Sequence, residues 1–238
     1  MARGAVTRAV LFDVGDTLVH RPEVGPGRRI ADALGLDRDA ARTITSWLFR
    51  ERFASPASLA ERLRSTFATA GDVETEVATI WHAQESEPVE TPGATRCVAA
   101  VRSHGARVGI VSNIWAPYEA GFRRACPEIV PLVETWQLSY RAGVAKPDRA
   151  LFDAALHALD VAPEHAVMVG DSLDKDVRPA LALGMQVLWV PAAAGAAPSG
   201  DEAGPAREDA FAGAIVARDL DEARSSLLAL LGVGARLV

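Results

Sequence analysis

The chain has 238 residues, 49% apolar and 24% charged, enough to bury an ample core. Its net charge of −6 offers no basic face for nucleic acid or an anionic membrane. No run approaches the roughly 20 apolar residues that span a bilayer, and the arginine-bearing amino terminus runs into a strand rather than into a signal sequence. Cys97 and Cys126 are too few for a disulfide framework and form no C-x-x-C pair, so the expectation is a cytoplasmic protein with reduced thiols.

Taken in order, Ala9 to Phe12 is a short apolar run without alternation, followed by a glycine-bearing turn. It reads as a strand covered on both faces that delivers Asp13 and Asp16 at its carboxyl end. His20 to Pro26 is a loop, and from there to about Glu87 every segment reads helical. Apolar stripes run through Ile30, Ala33 and Leu34, then Ile44, Trp47 and Leu48. Ser55 and Pro56 open the stripe of Leu59, Leu63 and Phe67, and Val73, Val77, Ile80 and Trp81 form a fourth. Four helices in a row without a strand suggest an inserted helical cap over residues 20–90, with residues 1–19 and 91–238 forming the core.

Pro88 to Gly93 marks the return. Ala94, Cys97, Val98 and Val101 line a helix, and Arg107 to Val111 is a second buried strand ending in Ser112 and Asn113. Helical and irregular residues lead on to Leu138. Gly143 to Arg149 is a loop in which Pro147 biases Lys146 away from helical geometry, and Asp148 caps the next helix. Ala166 to Val169 is a third strand, stopped by Gly170 and Asp171, and Gln186 to Val190 is a fourth. Residues 192–213 read as a mobile surface loop, Ala214 to Val216 as an edge strand and Leu220 to Leu231 as a closing helix. This alternation predicts an α/β fold, a doubly wound parallel sheet with the all-helical cap inserted.

In a parallel sheet the ends of three strands share one edge, which gathers Asp13, Asp16, Ser112, Asn113, Asp171, Asp174 and Asp176. Carboxylates so crowded do not all stay ionised without a counter-charge, and an all-oxygen donor set selects Mg²⁺. The five histidines are scattered and take no role. Of 25 basic residues only Lys146 and Lys175 are lysines. A compact ammonium suits a phosphoryl oxygen or a buried carboxylate, so Lys146 reads as a site residue, while Lys175 stays open. Trp115 and Tyr118 are the pocket candidates; Trp47, Phe49, Phe67 and Trp81 read as core.

Asp13-Val-Gly-Asp-Thr-Leu, Ser112-Asn113, Lys146-Pro-Asp and Gly170-Asp171-Ser-Leu-Asp-Lys-Asp176, in that order, resemble the haloacid dehalogenase (HAD)-like hydrolases with a helical cap between the first two motifs. The resemblance implies a Rossmann-like core and a Mg²⁺-dependent phosphatase of a small phosphorylated metabolite. Asp13 is then the nucleophile and a metal ligand, and Lys146 neutralises charge on it. Thr17, Ser112, Asn113 and Lys146 contact substrate, and Gly15 through its carbonyl, Asp171 and Asp176 complete the metal ligands. One position departs from the pattern: Gly15 stands where such phosphatases usually carry a general-acid aspartate, and Asp16 is the nearest substitute. The alternatives are a metal-independent dehalogenase-type hydrolase, which has no need of the Asp171 and Asp176 pair, and a weakly catalytic protein that binds phosphoryl ligands.

Overall fold

A computed structural model describes residues 7–20, 22–69, 71–191 and 213–234. The first strand, β1 (Ala9–Phe12), is buried at every position. After a turn, β2 (Val19–His20) leads into four helices, α1 (Pro26–Ala33), α2 (Arg38–Arg50), α3 (Pro56–Thr66) and α4 (Val73–Ser86). Three of these begin at a side-chain cap: Asp37, Ser55 and Asp72 each accept a backbone N–H of the first turn, and Ser55 with Ser58 closes a reciprocal capping box. The chain returns through β3 (Val89–Glu90), which pairs antiparallel with β2, Val19 opposite Glu90 and His20 opposite Val89. The sequence reading finds no strand next to the helical insertion, because two-residue segments show no periodicity.

The remainder alternates: α5 (Ala94–Ser103), β4 (Arg107–Ser112), α6 (Ala116–Ala125), β5 (Thr135–Leu138), α7 (Ser139–Ala142), α8 (Arg149–Ala158), β6 (Ala166–Gly170), α9 (Arg178–Ala182), β7 (Gln186–Trp189), β8 (Ala214–Val216) and α10 (Leu220–Gly234). The six strands of the main sheet are parallel and ordered β5-β4-β1-β6-β7-β8. This is the expected α/β fold. β5, with its sequence Thr-Trp-Gln-Leu, is an addition the sequence reading passes over, since four residues of mixed polarity give no strand signal. The expected loop at 192–213 lies, but for Gly213, outside the described residues.

The apolar runs are continuous because both faces of the sheet are covered. Val10, Phe12, Val108, Ile110, Val167, Val169 and Leu188 form one cluster with residues of α5, α6 and α10; Ile30, Ile44, Leu48, Leu59, Leu63, Ile80 and Trp81 of the insertion belong to the same cluster. Ala9, Leu11, Met168 and Val187 face the other way, onto α8 and α9 through Phe152, Leu156 and Ala180. No helix among the described residues is long and apolar enough to cross a membrane.

Helix α4 is bound to α6 in two ways. Arg124 donates to the carbonyls of Glu85, Ser86 and Pro88 at 3.1, 2.7 and 2.7 Å, capping the carboxyl end of α4. Gly121 lets the two backbones meet: a Cβ there would lie 2.5 Å from Pro88 Cγ and 2.6 Å from the Gln84 carbonyl oxygen. Gly121→Ala is therefore expected to overpack this contact and to lower stability by about 1–3 kcal/mol, read from the urea midpoint at unchanged slope.

Candidate active site

The register of the sheet sets the site. Phe12 pairs with Ile110 of β4 on one side and Val169 of β6 on the other, so the chain leaves all three strands at nearly one level. Asp13 follows directly, its N–H donating to the Val169 carbonyl at 2.9 Å. Ser112 ends β4 and is buried. Gly170 ends β6, and the turn beyond it carries Asp171 and, one tight coil later, Asp176.

Lys146 comes from the loop before α8 and is 3% exposed. Its Nζ lies 2.7 Å from Asp13 Oδ1 and 2.6 Å from Asp176 Oδ1. Asp176 is wholly buried, and its Oδ2 accepts the Ser172 N–H at 3.1 Å. Gly170 makes this possible, because a Cβ there would stand 2.5 Å from the Asp176 carboxylate. The backbone of Lys146 is gripped by Asn113: its N–H donates to Asn113 Oδ1 at 2.7 Å, and its carbonyl accepts from Nδ2 at 2.9 Å. Asn113, expected at the substrate, lines the cleft, and its carboxamide holds the Lys146 backbone, a role that one-dimensional spacing does not display.

Carboxylate oxygens of Asp13, Asp171 and Asp176 lie within 4.8 Å of one another. Two ligands bound at 2.0–2.1 Å sit no more than about 4.2 Å apart, so a contraction of at most about 0.6 Å makes this a hard-cation site. Charge points the same way, for three carboxylates face one ammonium. Burial first, then the charges of Asp13, Asp176 and Asp16, push the Asp171 carboxyl well above its usual range. Burial pushes Asp176 up to about 6 against the opposing pull of Lys146. Burial alone would lower the Lys146 ammonium, but Asp13 and Asp176 reverse this and its affinity for the proton rises. The donor set, its burial and its surplus negative charge fit a divalent cation such as Mg²⁺.

The cluster opens on a cleft of about 130 Å³, lined among others by Asp13, Gly15, Asn113, Lys146, Asp171 and Lys175. Trp115 and Tyr118 line it as expected. Phe49, read from sequence as core, lines it too, since α2 reaches over the strand edge; Gln84 is a further wall residue that no motif marks. Trp47 and Phe67 do pair with each other, ring centroids 5.6 Å apart. Thr17, expected among the substrate contacts, is fully buried and is not among the residues lining the cleft. Asp174 is exposed and paired with Arg178, away from the carboxylate cluster. Asp16 takes a left-handed conformation (φ 56°), its N–H donating to the Val19 carbonyl, and its charge is felt by Asp171.

Comparison with known proteins agrees with this geometry. A family model described as HAD-hydrolase-like matches residues 143–223, which hold Lys146, Asp171 and Asp176. Over that stretch the chain is similar to the HAD-like hydrolases. It is 47% identical over 68 residues to a phosphoserine phosphatase of Thermus thermophilus, covering 29% of this chain and 26% of that protein. It is 33% identical over 100 residues to a glyceraldehyde 3-phosphate phosphatase of Pyrococcus furiosus, covering 42% of this chain and 41% of that one. The matched segments thus span less than half the length of either relative. A HAD family hydrolase of Deinococcus radiodurans, solved with bound phosphate and sodium, shares the fold over 96% of this chain and 98% of its own, with a TM-score of 0.63 and 24% identity.

Both carboxyl shifts are upward, so the folded chain keeps protons on Asp171 and Asp176 where the unfolded chain has lost them. Without a cation, Asp176 therefore withdraws stability as pH rises from its ordinary 3.8 to about 6. A cation needs both groups ionised and competes with those protons. Added Mg²⁺ is expected to raise the melting temperature clearly near pH 7.5 and little near pH 5. Gly170→Ala, which displaces Asp176, is expected to shrink the gain at the higher pH.

Proposed function

We propose that this chain is a Mg²⁺-dependent phosphatase of a small phosphorylated metabolite, acting through an aspartyl-phosphate on Asp13. One observation carries the reading: a buried lysine holds two aspartates while a third completes a cluster with more negative charge than the lysine cancels. Phosphoryl transfer asks for such a site, an in-line oxygen nucleophile amid fixed positive charge and little water. The phosphatase names of the sequence relatives support the same class of substrate.

In this reading an Asp13 carboxylate oxygen attacks phosphorus and the bond to the leaving oxygen breaks. Water then attacks the phosphorus of the acyl phosphate, releasing phosphate and restoring Asp13. Lys146, positioned by Asn113, holds the Asp13 carboxylate in place and neutralises charge as it builds. Ser112, at the end of the middle strand's neighbour, takes a phosphoryl oxygen. Mg²⁺ held by Asp13, Asp171 and Asp176, with the Gly15 carbonyl beside them, would supply further positive charge to the phosphoryl oxygens. The residues between β2 and β3 act as the cap, and α2 and α4 contribute Phe49 and Gln84 to the wall of the cleft. Gly15 offers no proton, so in this reading Asp16, the nearest carboxyl along the chain, supplies it to an alkoxide leaving group. Free, buried Cys97 and Cys126 suit a reducing cytoplasm.

Purified protein is expected to release phosphate from an aryl phosphate with Mg²⁺ and to stop when a chelator is added. Asp13→Asn is expected to lower kcat by on the order of 10³-fold or more. Halide release from a 2-haloacid that persists in chelator, without phosphate release, would replace this reading by the dehalogenase one.

A further inference from the structure

Gln84 projects from α4 into the wall of the cleft and is 1% exposed. Its Oε1 accepts the indole N–H of Trp115 at 3.1 Å. An indole nitrogen donates and never accepts, so this contact fixes the orientation of the carboxamide: the oxygen faces Trp115 and the NH₂ group points elsewhere. That NH₂ group, Nε2, is buried and has no acceptor among the described residues. The cleft that Gln84 lines is also walled by Phe49, Ile114, Trp115 and Tyr118, mostly apolar surfaces. The same cleft is lined by Asp13 and Lys146.

We propose that Gln84 is a specificity-determining residue whose Nε2–H donates to an acceptor oxygen on the carbon skeleton of the substrate. The proposal rests on the phosphatase reading and narrows it to small phosphate esters that carry a carbonyl, carboxylate or hydroxyl oxygen a few bonds from the phosphate. With the phosphoryl group at Asp13 and such an oxygen at Gln84, the ligand satisfies a buried side-chain donor that the described residues leave open. An alkyl phosphate of the same size leaves that donor unpaired, and a site built to make a hydrogen bond discriminates strongly against a ligand that lacks the partner.

The test compares hydroxyacetone phosphate, whose carbonyl can only accept, with n-propyl phosphate, and follows the ratio of their kcat/KM values. A change in that ratio between wild type and variant cancels the difference in leaving-group reactivity. Gln84→Met removes both the donor and the bond to Trp115. Gln84→Glu keeps an oxygen for Trp115 and replaces the donor by a second carboxylate oxygen, whose added charge bears on the phosphate of both esters alike. Both variants are expected to lower the ratio by about tenfold or more. A ratio unchanged in both overturns the proposal. A ratio lowered by Gln84→Met alone also overturns it, since the residue then acts by joining α4 to Trp115. Should Gln84→Met fail to fold in a thermal melt, Gln84→Glu decides the matter alone. Wild type that hydrolyses neither ester nor an aryl phosphate in Mg²⁺ refutes the phosphatase reading itself, and this proposal falls with it.

Discussion

The site depends on one ammonium set between two carboxylates. Lys146 bridges Asp13 and Asp176 at 2.7 and 2.6 Å in a place almost closed to solvent. Burying any one of these charges alone costs several kcal/mol. Each is tolerable because the others are there, and the surrounding structure is arranged to keep them in register. Asn113 grips the backbone of the lysine from β4's carboxyl end. Gly170 leaves room for the Asp176 carboxylate, and the Ser172 N–H fills one of its oxygens. The position of Asp13 follows from β1 lying between β4 and β6. Remove the lysine and Asp13, Asp171 and Asp176 face one another as like charges.

The same arrangement leaves negative charge over, and that surplus raises the proton affinities of Asp171 and Asp176. In physical terms three carboxylates crowded about one ammonium favour the binding of protons or of a divalent cation. Stability and ligand affinity are thus linked through the same three oxygens. The neighbouring walls differ in character. Phe49, Ile114, Trp115 and Tyr118 form a mostly apolar lining broken by the carboxamide of Gln84. Charge at one set of residues and a single oriented amide at another give the cleft two distinct demands on a ligand.

Much of this was legible in the sequence. Apolar runs stopping at Asp13, Ser112 and Gly170 revealed three strands, and parallel strands necessarily end on one edge. A lysine in a chain rich in arginine pointed to Lys146. What stayed hidden has no one-dimensional period. Strands β2, β3 and β5 are too short or too mixed to signal themselves. The grip of Asn113 on Lys146 spans 33 residues and involves a backbone that sequence does not depict. Phe49 and Gln84 occupy positions on amphipathic helices that could equally have faced a core; only the docking of those helices brings them to the cleft. Thr17 follows the motif in sequence and is fully buried in the turn after β1, outside the residues that line the cleft.

The β2–β3 ribbon has an evolutionary corollary. Val19 sits opposite Glu90, so the polypeptide departs from and rejoins the sheet region at points separated by only about 5 Å, one strand-pair spacing. Loop-closure entropy grows slowly, by about 0.6 kcal/mol for each doubling of length. A segment of almost any size can hang from that gate at modest entropic cost, without rethreading a strand or moving Asp13. Such a fold is open to wholesale exchange of its helical appendage, so new ligands can be recruited while the charged edge is inherited intact.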